Sequence, residues 1–326
     1  MDNPYGITAT GPGVLSVLPL DSSTFVAATP LGALNPPGHV LPTDHVYLYF
    51  VDPWGGQQQL NDCSARPVRA AGSGVVNFIL RTETGGDTKV QVQMTRTFHY
   101  YYDHVLLAPG IAVGTHVNAG DIIGTTTGRC PSIDLGVIDY EVTAPGLVNA
   151  ARYGSTAHAA SPYRYFTAPL QAFIYARVRI YEGVPYDKDG RIGFGVAGRL
   201  AGDWFHASLA TSGSQDIMGP TGWPRSVSFA NDWFDGTPRI SIGGLIATPG
   251  VLKPAAGSPD ARTVSVASGL VVFDVAAVYN GRIGNGWVLA QMLSDARLRI
   301  EFVPMPATGA GVRPTQFTSA AQEYVR

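Results

Sequence analysis

Short apolar runs, each closed by Gly, Pro or Asp, recur along nearly the whole chain. Between Val14 and Asp52 they read VLSVLPL, TFVAATPLG and HVYLYFVD, which is the pattern of strands joined by tight turns, and no long helix fits there. The following runs, PVRAAGSGVVNFIL, KVQVQMTRTFHYYYDHVLL and GDIIGTTTG, predict hairpin strands over Val75–Leu80 and Val90–Met94 between Gly-rich turns. One segment breaks the pattern. TAPLQAFIYARVR, from Thr167 to Arg179, offers Thr167 as an N-cap, Pro169 in the first turn, and apolar Leu170, Phe173 and Ile174 at helical spacing, so it predicts a short connecting helix. Beyond it, GRIGFGVAGRLAGDWF, RSVSFANDWF, PRISIGGLI, RTVSVASGLVVFDVAAVY, NGWVLAQML and ARLRIEFVP alternate with turns as a sandwich or closed barrel would. The expected fold is all-β, with a first domain over residues 1–168, a connecting helix over 169–182 and a barrel or sandwich over 183–326. No long period recurs, which argues against a solenoid or propeller.

Composition sharpens this picture. Apolar residues make up 45% of the chain and charged residues 14%, with 39 Gly and 24 Pro, as expected of a turn-rich β protein of two ordinary domains. The formal net charge of −2 comes with no extended basic face, so neither nucleic acid nor an anionic membrane surface is an expected partner. No apolar stretch approaches the roughly 20 residues that cross a bilayer. The opening MDNPYG has no basic segment followed by an apolar core, so the chain reads as cytoplasmic or as an exported protein without its signal; low charge with abundant Thr, Ser, Gly and Tyr favours an extracytoplasmic or secreted location. The two cysteines, Cys63 and Cys130, form either one disulfide in an oxidising compartment or two buried thiols, and their separation excludes a CxxC metal site.

Histidine is unevenly placed. Six of the seven (His39, His45, His99, His104, His116 and His158) precede the expected linker, and His206 follows it. HVLPTDHVYLYF puts His39, Asp44 and His45 at the entry to an apolar strand, FHYYYDHV puts His99 and His104 around a Tyr run, and SIDLGVIDYEV puts Asp134 and Asp139 on or beside another strand. Imidazole and carboxylate are the ligands of a zinc site, and residues two apart on a strand face the same way. The alternative assignments are structural: a loop residue at His39, turn and strand-edge residues at Asp134 and Asp139, a solvated turn at His116, and a half-buried strand at His99 to Tyr102.

The order of these segments resembles the lysostaphin-type zinc endopeptidase domain, a small antiparallel β domain related to the lipoyl-carrier barrel. The resemblance rests on PVRAAGSGVV at Pro67–Val76, YDHV at Tyr102–Val105, APGIAVGTHVNAGDIIGTTTG at Ala108–Gly128, VIDYEV at Val137–Val142 and a closing SPYRYF, and it covers about residues 35–166. Lipoyl and biotinyl carriers share the Gly-rich phrase, but they are smaller and present a Lys at a hairpin tip that has no counterpart here. In the family, zinc is held by a His and an Asp of a first motif and by the second His of a His-x-His strand. The resemblance therefore implies a metal site at His39, Asp44, His45 and Asp139 for zinc or another divalent ion, with His104 as the assisting catalytic histidine. It also implies loss: Val137 stands at the other assisting position and Asp139 replaces a ligand histidine, while the His39 to Asp44 spacing is one residue too long.

Two functions follow as expectations. The first is an exported protein whose degenerate metallopeptidase-fold domain binds peptidoglycan, glycan or another extracellular polymer without peptidase activity. The second is a metal-dependent hydrolase with an altered His/Asp ligand set, and a structural surface protein is a further alternative. In the second domain, Gly202-Asp203-Trp204 is similar to the Gly-x-Trp opening of lipocalin-like barrels, where the Trp plugs one end against a late Arg, here Arg297 or Arg299. Trp204, Trp233 and Trp287, with Phe205 and Phe234, are either core plugs or a ligand-stacking surface.

Overall fold

In the computed structural model, which describes residues 4–53, 63–81, 87–127, 131–180, 187–209, 219–278, 283–306, 309 and 311–326, the short apolar runs become strands. Ten lie in the first half: β1 Ala27–Ala28, β2 His45–Tyr49, β3 Pro67–Arg69, β4 Gly74–Arg81, β5 Thr88–Gln93, β6 Phe98–Leu107, β7 His116–Val117, β8 Ile122–Thr126, β9 Ser132–Asp139 and β10 Ala159–Ala160. They form one sheet in which β2, β9, β6, β5 and β4 are consecutive neighbours, all antiparallel.

The period of two decides the faces of this sheet. Val46 and Leu48 on β2, Val90 and Val92 on β5, Tyr100 and Tyr102 on β6, and Leu135 and Val137 on β9 are all fully buried. Their neighbours in sequence, His45, Tyr47 and Tyr49, His99, Tyr101 and Asp103, and Asp134 and Gly136, occupy the other face. The Tyr run thus splits by parity. Tyr100 donates its hydroxyl to the Gly72 carbonyl at 2.8 Å and Tyr102 to that of Arg69 at 3.0 Å, which satisfies both phenols inside the core.

The expected helix is present over Ala168–Tyr175, as α1. Thr167 is at its N-cap without a side-chain capping bond, Pro169 sits in the first turn, and Ile174 is its one buried residue. Arg177 lies over the Phe173 ring at 3.6 Å, and α1 belongs to the first compact unit, Met1–Leu31, Asp44–Thr143 and His158–Gly190. The second unit is Gly32–Thr43, Ala144–Ala157 and Arg191–Arg326. Two excursions of the first half therefore belong with the second, and no shift in composition marks them.

The second unit is built on a closed barrel of eight strands: β11 Gly202–His206, β12 Ser226–Asn231, β13 Pro238–Ile242, β14 Gly250–Pro254, β15 Val271–Val278, β16 Gly286–Ser294, β17 Arg297–Pro304 and β18 Gln322–Val325. β18 pairs back with β11 through Phe205–Val325 and His206–Tyr324, which removes the free sheet edges. Trp204, Val227, Phe229, Ile240, Ile242, Leu252, Phe273, Val288, Leu298, Ile300 and Tyr324 pack as its core. The Trp204 indole donates to the Leu200 carbonyl at 2.8 Å. The arginine over its ring is Arg326, at 4.2 Å, not Arg297 or Arg299; Arg297 instead pairs with Glu323 at 2.6 Å, and Arg299 lies over Phe317. Trp204, Trp287 and Phe205 are buried, and Trp233 and Phe234 form a half-buried edge-on pair with centroids 5.4 Å apart.

A buried carboxylate ties one excursion to the barrel. Asp203 on β11 accepts the Tyr153 hydroxyl at 2.7 Å and the Ser228 hydroxyl at 2.6 Å, and the Tyr153 and Phe205 rings meet edge-on at 5.8 Å. Burial pushes the Asp203 carboxyl up to about 6, against the two hydrogen bonds, which favour its ionised form.

Candidate functional site

On the polar face of the first sheet, imidazoles and carboxylates form a continuous chain. Asp44, one residue ahead of β2, holds His45 Nδ1 at 2.9 Å, and His45 Nε2 lies 3.2 Å from Asp134 Oδ2 on β9. The same Asp134 oxygen is 3.6 Å from His104 Nε2 on β6, and His104 Nδ1 is 3.0 Å from Asp87, one residue ahead of β5. Strand register produces this order. Tyr47 and Asp103 both stand directly opposite Asp134, and His45 and Tyr101 both stand opposite Gly136.

His104 reaches the chain through a β-bulge. β5 and β6 are in register at Val90–Tyr102 and again at Thr88–Val105, so Asp103 and His104 together oppose Lys89. A bulge of this kind turns two consecutive side chains to one face. His104 adopts a φ of 65°, the left-handed region that costs a residue with a Cβ about 1–2 kcal/mol, and its amide donates to the Asp103 carboxylate at 2.9 Å.

The electrostatics follow from burial working against close partners. At His45, burial lowers the pKa, but Asp134 and Asp44 outweigh it and hold the imidazole above its ordinary value. His104 is likewise raised by Asp134, Asp87 and Asp103 against the effect of burial. Burial pushes Asp44 up, yet the His45 hydrogen bond and charge, with Lys89 behind them, leave it well below the carboxylate range. Asp134 is raised by burial in spite of both imidazoles. A proton held between such groups belongs to the set.

The structure separates the residues that the family resemblance grouped. It brings Asp44, His45 and His104 together around Asp134. Asp139 is elsewhere: it shares the parity of Leu135 and Val137, lies opposite Phe98, and accepts the Tyr165 hydroxyl at 2.8 Å and the Glu141 amide at 3.0 Å. His39 belongs to the second unit, where its ring meets Trp223 edge-on at 5.5 Å. His99 is buried beside Asn77, and burial lowers its imidazole to about 4. His158 donates to the Val142 carbonyl at 2.6 Å, and His116 is exposed on β7. Cys130 lies outside the described residues, and with it the Cys63–Cys130 pairing.

The pair of β9 residues that faces the cluster, two apart as in His-x-His, is Asp134 and Gly136. Val137 and Asp139 do not occupy those places. No side chain at position 136 has room to contribute a ligand on this face, for a steric reason. Tyr101 fills the space in front of Gly136, and a Cβ at Gly136 would overlap its ring and hydroxyl. Among the described residues, the one set of three metal-type side chains whose donor atoms lie within 4.8 Å of one another is Asp87, Asp103 and His104.

No protein-family model matches the chain, and no curated protein does. Solved structures similar to it include Csd3 from Helicobacter pylori, 19% identical over 39% of this chain and 31% of that one, with a TM-score of 0.29. The catalytic domain of the prophage-encoded M23 protein EnpA from Enterococcus faecalis is 16% identical over 38% of this chain and 87% of that one, at a TM-score of 0.27. The catalytic domain of the antimicrobial peptidase lysostaphin from Staphylococcus simulans is 20% identical over 36% and 80% of the two chains, at 0.23. The aligned part thus spans about a third of the length of Csd3.

Proposed function

We propose that the first unit is a degenerate lysostaphin-like domain that binds an extracytoplasmic polymer, of cell-wall or glycan type, without peptidase activity. One observation carries the reading: the ring of Tyr101 stands where a ligand side chain at position 136 would project. The imidazoles and carboxylates nearby are engaged with one another instead of converging on a family-type zinc. The same face offers a surface suited to a sugar or peptide chain. Tyr47 and Tyr49 on β2 are half-buried with rings 6.3 Å apart, Tyr140 is half-buried between His99 and His158, and Phe78 and Leu80 on β4 are exposed. Aromatic rings bind such chains by stacking on their faces.

Co-sedimentation with purified insoluble cell-wall material tests the reading. The protein is expected in the pellet, and the double substitution Tyr47→Ala with Tyr49→Ala is expected to reduce the bound fraction at least tenfold. Release of soluble fragments from the polymer, abolished in His104→Ala, would instead establish the hydrolase reading.

A further inference from the structure

Beyond polymer binding, and independent of it, the geometry points to a divalent transition-metal site at the β5–β6 bulge, held by Asp87, Asp103 and His104 Nδ1. Its position differs from the ligand set implied by the family resemblance, which drew on residues near β2 and at the end of β9. The three donor atoms lie within 4.8 Å of one another, and His104 Nδ1 is 3.0 and 3.2 Å from the two Asp87 oxygens. Donors bound at about 2.0–2.2 Å to one ion sit at such separations from each other. An ion there would take the place of the Nδ1 proton, which passes to solvent.

A second observation points to the same place. Asp134 is buried, with its side chain 4% exposed; one of its oxygens is 3.6 Å from His104 Nε2, and the other has no hydrogen-bond partner among the described residues. Metal-bound histidines commonly donate their second ring N–H to a carboxylate, which fixes the ring and strengthens the ligand. Asp134 is the carboxylate beside that second ring nitrogen, at 3.6 Å, and an ion on Nδ1 would fix the Nε2–H toward it, with the contact shortening into a hydrogen bond. Asp87, Asp103 and Asp134 also set three carboxylates around one imidazole, and Asp103 and Asp134 are direct cross-strand neighbours. A dication offsets that repulsion. Two carboxylates with one imidazole suit Mn²⁺ or Zn²⁺ better than a thiophilic ion.

The test uses the full chain, stripped of metal with a chelator and titrated with MnCl2 by calorimetry and by electron paramagnetic resonance, then with ZnCl2 as competitor. One saturable site is expected. Asp87→Asn and Asp103→Asn are each expected to weaken it at least tenfold and Asp134→Asn by about tenfold, whereas Asp139→Asn leaves it unchanged. In case the Asp87 variant fails to fold, the wild-type protein gives a separate readout: Zn²⁺ should shift the His104 Nδ1 nitrogen resonance and leave those of His39 and His116 in place. Absence of saturable binding, or affinity that survives both Asp87→Asn and Asp103→Asn, overturns the assignment. Loss of binding on His45→Ala alone, with Asp103→Asn silent, does so too, because it places the ion at β2.

Discussion

Gly136 has the largest consequence of any single residue in the site, because it is defined by what occupies the space in front of it. Restoring a side chain there means displacing a buried tyrosine. Gly136→Ala should destabilise the first unit by about 1–3 kcal/mol, the usual cost of overpacking, in urea unfolding followed by Tyr fluorescence. In a Tyr101→Ala background the same substitution should cost close to nothing, and an undiminished penalty there would show that Tyr101 is not the obstacle. Asp134 is the second such residue. It lies between two imidazoles with its side chain 4% exposed, and removing one member of a buried charged set costs about 3–5 kcal/mol. Asp134→Ala should therefore be more damaging than Asp139→Ala, because Asp139, though equally buried, has neutral partners in the Tyr165 hydroxyl and the Glu141 amide, and its loss leaves no imidazole without a counter-charge; equal losses would contradict the buried chain.

Among the elements, the β5–β6 bulge sets the site apart from the rest of the sheet. Strict alternation along β6 would send His104 to the core face with Tyr100 and Tyr102; one extra residue opposite Lys89 turns it toward Asp134. The left-handed backbone at His104 gives a discriminating comparison. His104→Gly and His104→Ala lose the same imidazole, yet the glycine variant should be more stable by about 1 kcal/mol, since Gly takes φ 65° without strain. The reverse order in chemical denaturation is what a regular strand would give, where Gly is the poorer residue. On β9, the buried Ile133, Leu135 and Val137 mark one face, so the alternation already visible in SIDLGVID assigns Asp134 and Asp139 to opposite sides. That signal was available before the structure, and it outranks the local likeness of VIDYEV to a His-x-His phrase.

In the whole molecule, two excursions, Gly32–Thr43 and Ala144–Ala157, belong to the barrel unit, and Asp203 fastens the second of them through Tyr153. This gives the unit a pH dependence of defined sign. The folded pKa of Asp203 is raised from 3.8 to about 6, so between those values the folded state binds more protons than the unfolded one. Its contribution to stability is therefore full below about pH 4 and is lost as pH rises through 6, on the order of 2–3 kcal/mol in all. Asp203→Asn should flatten that part of the stability profile in denaturant titrations run from pH 4 to 8. A profile unchanged by the substitution would show that the carboxyl does not titrate in this range.

The sequence by itself determined the strand-rich class, the helix after Thr167, the barrel-like second half and the concentration of histidine chemistry in the first half. Each of these depends on local periodicity, turn residues or simple counts, which a linear chain displays. It also placed Asp44, His45 and His104 among the candidates. Only the tertiary structure decided that Asp134 links the two histidines, that Asp87 and Asp103 join them, that His39 does not, and that Tyr101 closes the space before Gly136. Those outcomes depend on cross-strand register and on one bulge. A shift of a single residue in either reverses which face a side chain occupies, and no local run of sequence specifies which of two distant strands will lie opposite it.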